Sequence, residues 1–296
     1  ASRGGETLAF LRFPFMIIRF FETRPNGKDA MRFQRVALAA VTCELPPRAV
    51  TSAEVERRLA PVYERLRLPE GRLELMTGIR ERRFWEPGAR PSRVAALAGR
   101  KALERAGIAA DEVGCLVHAA VCRDFMEPAT AAVVHDLLEL PPHCAMFDLS
   151  NACLGVLSAM TVVGDMIELG RIEAGLIVTG EVAEPLHEST IQAILKDESL
   201  TRQSFKKHFA SLTIASGAAA VVLTNRERTE GRRLLGGAVL TDSTANRLCQ
   251  EDASGEGPAA PLMATDAEAL LHAGCDLAGR TWKSLKRELE WSDGTP

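Results

Sequence analysis

The stretch Phe147-Asp-Leu-Ser-Asn-Ala-Cys-Leu-Gly-Val156 joins a short apolar run to a long helical pattern. Residues 145–150 are mostly apolar and contain no Gly or Pro, which predicts a buried strand. Over residues 155–169 the apolar side chains surround most of a helical cylinder, which predicts a mostly buried helix. The stretch therefore predicts a strand, a tight turn and a helix, with Cys153 at the N-terminus of that helix.

The same alternation of strand and helix patterns continues on both sides of this stretch, from residue 31 onward. Residues 92–106 predict an amphipathic helix with Ser92 as its N-cap and Gly107 as its stop. Such alternation is typical of an α/β fold with a mostly parallel, buried sheet. Further strands are predicted at residues 36–42, 114–121, 174–179, part of 211–224, and 234–240.

Composition excludes several classes of protein. The 296 residues are 46% hydrophobic and 25% charged, with 36 Lys and Arg against 39 Asp and Glu, a net charge of −3. These values exclude a disordered or fibrous chain. Because no basic surplus favours nucleic acid or an anionic membrane, we expect a small organic substrate or a protein partner.

The seven cysteines form no CxxC pair and no spacing typical of a metal site, which favours reduced thiols in a reducing compartment. The apolar run at residues 8–21 contains Arg12, Pro14 and Arg19, so it predicts neither a signal peptide nor a membrane span. The protein is predicted to be cytoplasmic. Residues 1–30 are interpreted as an extension outside the fold or as an ordinary N-terminal arm.

The tetrapeptide Leu-Ala-Gly-Arg occurs at residues 97–100 and again at 277–280, in two helical patterns of similar character. After the first copy the chain enters the strand predicted at 114–121. The recurrence indicates a duplicated architecture, in which the chain is expected to end at Pro296 where the corresponding second strand would begin.

Cys153 is the clearest candidate for a reactive side chain in the sequence. At a helix N-terminus, unpaired backbone N–H groups and the helix dipole stabilise a thiolate, which is how a cysteine becomes a nucleophile. The small residues Ala152 and Gly155 are expected to leave room for a substrate. A buried structural cysteine is the alternative, and position alone leaves it open.

Several stretches together resemble a known family in order and spacing. With residues 148–155, they resemble the N-terminal half of the 3-oxoacyl-ACP synthase III family of the thiolase superfamily, over roughly residues 31–291. The further stretches are Thr-Gly-Ile-Arg-Glu-Arg at 77–82, Glu-Pro-Ala-Thr-Ala at 127–131, residues 171–181, and Ile-Ala-Ser-Gly-Ala-Ala-Ala-Val-Val at 214–222.

The resemblance implies a thiolase-like α/β fold of two similar βαβαβαββ halves, the second incomplete, in a homodimer. Residues 31–226 would form the N-terminal half with its nucleophilic cysteine, and residues 227–296 the start of a truncated C-terminal half. Residues 1–30 would lie outside the fold. No metal is implied, and no cofactor other than CoA or phosphopantetheine as the carrier of the acyl thioester.

The resemblance also implies that Cys153 is acylated by a thioester before a carbon–carbon bond forms, with its backbone N–H as the first donor of an oxyanion hole. The family's catalytic His and Asn belong to the second half, past the position of Pro296, so neither is expected in this chain. The six histidines match no catalytic position of the family and are expected to be structural or at the surface: His118, His135, His143, His187, His208 and His272.

Glu127 precedes Pro128 at the start of a predicted helix, where an acid would stabilise the first turn. In the family this position lies on a loop that crosses the dimer interface to line the partner's acyl pocket, and most synthases have an apolar residue there. A glutamate resembles the branch that condenses two acyl-CoA chains head to head, where it is implied to act as a base.

Arg80 and Arg82 are the candidates for holding the phosphates of CoA or of phosphopantetheine on a carrier protein. A cluster of this kind is also typical of a solvated surface. At the positions where the family's common bacterial members carry a Trp and an Arg for the nucleotide, this chain has Arg72 and Met76, so adenine stacking of that kind is in doubt.

The predicted function is an acyltransferase that forms a carbon–carbon bond by decarboxylative or head-to-head Claisen condensation of acyl thioesters, on CoA or on acyl carrier protein. Two alternatives stay open. One is a truncated, non-catalytic fragment that dimerises or binds acyl chains, and the other is a Cys-dependent thioester hydrolase.

Overall fold

A computed structural model describes residues 31–252, 262–292 and 294. The extension predicted at residues 1–30 therefore lies outside the described residues. Within these ranges, no helix combines the length and the apolar character that crossing a membrane requires.

The strands of the described residues form one six-stranded sheet and three two-stranded pairs. The strands are β1 (Met31–Arg32), β2 (Val36–Glu44), β3 (Arg48–Thr51), β4 (Glu81–Phe84), β5 (Cys115–Ala119), β6 (Ala145–Leu149), β7 (Ala174–Glu181), β8 (Gly217–Asn225), β9 (Arg232–Arg233), β10 (Gly236–Gly237), β11 (Cys249–Asp252) and β12 (Leu262–Thr265).

Between β3 and β8 helices alternate with the strands along the chain, as the sequence pattern predicted. The helices are α1 (Ser52–Arg58), α2 (Ala60–Arg65), α3 (Arg72–Thr77), α4 (Pro91–Ala106), α5 (Thr130–Leu137), α6 (Gly155–Glu168), α7 (Glu184–Lys196), α8 (Arg202–Phe205), α9 (Phe209–Thr213) and α10 (Ala267–Leu289).

The six-stranded sheet has the order β6-β5-β7-β8-β2-β9 and is mixed. The pairs β5–β6 and β5–β7 are parallel, whereas β7–β8, β8–β2 and β2–β9 are antiparallel. The expectation of a mostly parallel sheet was therefore wrong. The expectation failed because β8 is buried along almost its whole length. A continuous apolar run does not indicate whether a strand is parallel or antiparallel to its neighbours.

Helices cover both faces of this sheet. On one face α4 packs on β7, β8 and β2, while α5 packs on β5 and β6; on the other face α6 packs on β5, β7 and β8. A third apolar cluster lies among α1 to α3 and α7 to α9, where Phe205 meets the ring of Tyr63 edge-on at a centroid distance of 5.8 Å. The architecture is thus α/β, with the core on the two faces of one sheet.

Helix α4 agrees with its prediction except at its beginning. Gly107 adopts a left-handed conformation (φ 64°) and ends the helix, as expected for a C-terminal glycine. The N-cap, however, is Arg90, and Pro91 occupies the first turn. Ser92 instead donates its hydroxyl to the carboxylate of Asp124, 2.6 Å away.

Helix α6 is buried on one side only, so the prediction of a mostly buried helix was wrong in extent. Ala159, Val163 and Ile167 are fully buried against the sheet, whereas Leu157 is 60% exposed and Val162 is 38% exposed. Periodicity alone could not show this, because the sequence is apolar on the side that faces the sheet and on the side that does not.

The C-terminal region departs most from the sequence pattern. Of the strand predicted at 234–240, the described structure has only Gly236–Gly237, as β10, which pairs with β1, while β9 pairs with β2. The predicted helix is present as α10, and no side chain within it is buried. The two Leu-Ala-Gly-Arg copies lie in α4 and α10, while the division into halves at residue 226 stays a prediction.

Candidate active site

Cys153 lies at the turn between β6 and α6. Residues Ala152–Leu154 form a single 3-10 turn, in which the Leu154 N–H donates to the Asn151 carbonyl at 2.9 Å. Ala152 has a φ of 42°, in the left-handed region that non-glycine residues rarely adopt. The side chain of Asn151 donates to the hydroxyl of Ser158 at 2.9 Å, which ties the turn to the first turns of α6.

The exposure of Cys153 separates it from the cysteines of the core. Cys115 and Cys144 are buried, and burial raises the pKa of these thiols to about 12 and about 11, respectively. Such thiols stay protonated and unreactive near neutral pH. Cys153 is exposed, so the alternative of a buried structural cysteine does not fit its position.

The small residues around Cys153 have different surroundings. Gly155 is buried, and a Cβ at this position would lie 3.6 Å from backbone and side-chain atoms of Ala119 in β5. Gly155 thus faces the sheet and leaves no room for a substrate, contrary to expectation. Ala152 is exposed and lies on the open side of the turn.

Glu127 lies on the loop that connects β5 to α5, and its side chain is exposed. The helix begins at Thr130, so Glu127 is outside the first helical turn in which a structural acid was expected. The neighbouring Met126 is 96% exposed, although it is apolar. The tip of this loop therefore presents an acid beside an uncovered apolar side chain.

The acid that does stabilise the start of α5 is Asp148. Its two carboxylate oxygens accept the backbone N–H groups of Thr130 and Ala131 at 2.9 and 2.7 Å. Asp148 is in β6, five residues before Cys153, and therefore joins the strand that leads to the cysteine with the end of the loop that carries Glu127. Sequence reasoning missed this residue, because an acid within a strand pattern gives no sign of which backbone it meets.

Arg80 and Arg82 are placed differently by the hairpin of β3 and β4. Arg80 is exposed, whereas Arg82 is only 2% exposed and donates to the Val50 carbonyl at 3.3 Å and to the Ser52 hydroxyl at 2.8 Å. Burial lowers the pKa of Arg82. Of the two candidates, only Arg80 is open to a phosphate, since alternation along β4 turns Arg82 inward.

Arg82 nevertheless supports the segment that carries Arg80. The Ser52 hydroxyl that accepts from Arg82 donates to the Ile79 carbonyl at 2.5 Å, and the Ser52 N–H donates to the Arg80 carbonyl at 2.9 Å. The buried guanidinium is thereby linked through Ser52 to the turn between α3 and β4.

Three of the six histidines have a pKa that burial lowers, namely His118, His187 and His208. His118 lies within β5, 1% exposed, with its Nδ1 3.6 Å from a carboxylate oxygen of Asp148. In the part of the chain that the structure describes, no three His, Cys, Asp or Glu residues form a group suited to a metal ion.

Two curated relatives match most of the chain. An acyl-CoA:acyl-CoA alkyltransferase of Shewanella oneidensis is 39% identical over 267 residues, which cover 88% of this chain and 76% of the relative. The enzyme of the same name from Xanthomonas campestris is 34% identical over 263 residues, covering 88% and 75%. No protein-family model matches.

A third relative and several solved structures are also similar to this chain. A β-ketoacyl-[acyl-carrier-protein] synthase III of Koribacter versatilis is 31% identical over 160 residues, covering 54% of this chain and 46% of that protein. Crystal structures of Xanthomonas campestris OleA superpose with a TM-score of 0.83 at 34% identity, covering 91% of this chain and 76% of that one. They include variants at one glutamate and one cysteine, which are 26 residues apart, and complexes with cerulenin, lauric acid and lauroyl-CoA.

The sheet order, the strand-turn-helix at Cys153 and these similarities define a condensing enzyme of the thiolase superfamily. Within it, the chain belongs to the acyl-CoA:acyl-CoA alkyltransferase family.

Proposed function

We propose that this protein condenses two acyl-CoA molecules head to head, through an acyl thioester on Cys153. The observation that carries the proposal is an exposed cysteine at the strand-to-helix turn, in a chain of the acyl-CoA:acyl-CoA alkyltransferase family. Head-to-head condensation is favoured over the decarboxylative reaction, because the two relatives that cover most of the chain are named for two acyl-CoA substrates.

The first step transfers an acyl group to Cys153. The Cys153 thiolate attacks the thioester carbonyl, a new carbon–sulfur bond forms, and CoA leaves as a thiol once it has taken up the proton that Cys153 gave up. The Cys153 N–H is proposed as one donor to the oxyanion of this step.

The second step requires a carbanion at the α-carbon of the other acyl-CoA. We assign the removal of this proton to Glu127, in agreement with its exposure and with its 26-residue separation from Cys153, which equals the separation of the substituted glutamate and cysteine in OleA. The carbanion attacks the acyl-Cys153 carbonyl, a carbon–carbon bond forms, and the Cys153 thiolate is released.

A homodimer would place Glu127 beside the Cys153 of the partner. Strand β6 is an edge of the sheet and its Met146 is 42% exposed, so its free side is suited to pairing with a second copy. Met126, next to Glu127, is apolar and exposed, which favours a dimer in which the partner covers this loop.

Arg80 is the proposed contact for the phosphates of CoA, or of phosphopantetheine if a carrier protein delivers the acyl group. We place the reaction in the cytoplasm from the cysteine usage of the sequence, and we keep residues 31–226 and 227–296 as the first half and the start of a second half. The reaction as proposed needs no metal and no cofactor beyond the thioester carrier.

The test is incubation of the protein with isotope-labelled lauroyl-CoA, followed by peptide mass spectrometry. We expect one acyl adduct, on Cys153, and a 3-oxoacyl product when acyl-CoA is in excess. Absence of the Cys153 adduct would sink the proposal. Turnover to free lauric acid would favour a thioester hydrolase, and an adduct without any product would favour an acyl-binding fragment.

A further inference from the structure

The loop between β5 and α5 is tied to the sheet where it begins. The Val121 N–H donates to one carboxylate oxygen of Glu181 at 2.9 Å, and the Cys122 N–H donates to the other at 3.1 Å. Glu181 is the last residue of β7, the strand beside β5. One side chain thus fixes two successive peptide groups at the start of the loop.

The middle of the loop is tied to a different element, helix α4. The Asp124 carboxylate accepts the Ser92 N–H at 2.8 Å and the Ser92 hydroxyl at 2.6 Å, while the Asp124 N–H donates to the Thr130 hydroxyl at 3.1 Å. Ser92 and Thr130 are both completely buried and Asp124 is half-buried, so these bonds are partly shielded from water. Together with Asp148 at the far end, three carboxylates tie the loop to β7, α4 and β6.

His118 lies among these carboxylates. Burial lowers its pKa most strongly, whereas the negative charges of Asp148, Glu181 and Asp124 act in the opposite direction. The imidazole therefore shares its surroundings with all three anchors. Its Nε2 has no hydrogen-bond partner among the described residues.

Between Asp124 and Thr130, the anchors make no such hydrogen bond to the loop tip at residues 125–128. Glu127 is three residues from Asp124 and three from Thr130, and the Phe125 ring lies 5.4 Å below the guanidinium of Arg90. Because a displacement of about 1 Å at a reacting group costs about 100-fold in rate, the position of so short a tip matters for a base. We propose that Glu181 and Asp124 are positioning residues for Glu127, an inference that rests on the proposed function.

Glu181→Gln and Asp124→Asn test this inference, because each keeps the side-chain shape. Glu181→Gln places an amide donor against one of two backbone N–H donors, and Asp124→Asn removes the negative charge that strengthens both bonds to Ser92. The matched control is Glu168→Gln at the end of α6, where a single carboxylate oxygen accepts the N–H groups of Gln34 and Arg35 at 2.9 and 2.8 Å. The control thus makes the same Glu-to-Gln substitution and removes the same charge far along the chain from the loop, while its amide oxygen can still accept both N–H groups.

The measured quantity is exchange of the α-protons of lauroyl-CoA with D₂O, in which Glu127 takes a proton and returns a deuteron without net reaction. We expect Glu181→Gln and Asp124→Asn to lower kcat for this exchange about 10-fold to 100-fold, with KM and the acylation rate of Cys153 within about 2-fold of the parent. Glu168→Gln should retain the parent rate.

The outcomes separate this inference from the proposed function. If Glu127→Gln lowers the exchange while Glu181→Gln and Asp124→Asn leave it unchanged, the positioning role is wrong. An equal loss in Glu168→Gln, or a parallel loss of Cys153 acylation, would also overturn it, because general destabilisation would then explain the effect. If the parent shows no exchange, or if Glu127→Gln exchanges at the parent rate, the proposed base fails instead.

A second measurement decides the anchoring without reference to activity. Backbone hydrogen exchange of the peptide 121–128 should become about 10-fold faster in Glu181→Gln and stay unchanged in Glu168→Gln. Unchanged protection of this peptide in Glu181→Gln would overturn the inference whatever the catalytic result.

Discussion

Gly180 packs against Pro91 so closely that a Cβ on Gly180 would overlap the Pro91 carbonyl oxygen. The contact joins the end of β7 to the first turn of α4, the two elements that carry Glu181 and Ser92. The same two elements therefore anchor the loop of Glu127 and approach each other through a glycine, which explains why this position needs the smallest residue.

Gly180→Ala is expected to lower the free energy of unfolding by about 1–3 kcal/mol, because the added methyl group must push α4 away from the sheet. Urea unfolding followed by circular dichroism measures this. In Gly274→Ala, on α10, the new Cβ meets nothing within 4 Å, so this control is expected to be stabilised by about 0.5–1 kcal/mol. Equal effects of the two substitutions would contradict the packing argument.

Cys153→Ala is expected to abolish the acyl adduct, since it removes the proposed nucleophile. Intact-protein mass spectrometry after incubation with lauroyl-CoA gives the stoichiometry directly. The matched control is Cys275→Ala, which removes another exposed thiol and should leave one adduct per chain. An adduct that survives in Cys153→Ala would move the nucleophile to another residue.

Glu127→Ala is expected to acylate at the parent rate but to form the carbon–carbon bond about 100-fold to 10,000-fold more slowly, the usual contribution of a general base. Single-turnover acylation and product formation, measured separately, distinguish the two steps. Glu139→Ala, in the turn after α5, is the control at a second exposed acid. Unchanged product formation in Glu127→Ala would return Glu127 to a structural role.

Arg80→Ala is expected to raise KM for acyl-CoA about 5-fold to 10-fold at low salt, because a surface cation close to a phosphate contributes roughly 1 kcal/mol and is screened by ions. The difference should shrink as the salt concentration rises. Arg105→Ala, at the exposed end of α4, removes the same charge and should leave KM unchanged. A KM for Arg80→Ala equal to that of the parent at every salt concentration would rule out the contact.

The stability of the fold should fall between pH 7.5 and pH 5 because of His187. Burial, followed by the charge of Arg82, lowers the pKa of this histidine from 6.5 to about 4. The unfolded chain therefore takes up a proton below pH 6.5 that the folded chain refuses until about pH 4, and the free energy of unfolding decreases as the pH falls through this window.

The expected contribution of His187 is about 2 kcal/mol between pH 7.5 and pH 5. Urea unfolding of the parent and of His187→Gln across this range measures it, since the glutamine variant lacks the titration. His272→Gln, on the exposed α10, provides the control. If the free energy of unfolding changed with pH in the same way for the parent and for His187→Gln, His187 would have the same pKa in the folded and the unfolded chain.

Local sequence patterns predicted the elements around the site closely. The strand at 145–150 and the helix at 155–169 are present as β6 and α6, and the turn between them carries Cys153. This succeeded because burial in a sheet and along a helix imposes different periods on the apolar residues, and each period is readable over a few neighbours.

Motif order also predicted the family correctly, since five stretches matched together, whereas the single turn at Cys153 left a structural cysteine open. Cys153 is exposed in the structure, which does not fit a buried cysteine, and its role as nucleophile stays a proposal. Arg82 was misplaced, because a charged residue in a short basic run reads as surface unless the fold is known.

By itself the sequence determined the alternation of strands and helices, the turn that bears Cys153 and the family. Only the tertiary structure decided that β8 runs antiparallel to β7, that Arg82 points inward, and that the loop of Glu127 is held by Glu181, Asp124 and Asp148. These contacts join residues 18 to 60 positions apart. Hydrogen bonds of that range depend on which elements the fold brings side by side, and a pattern read over neighbouring residues does not contain this information.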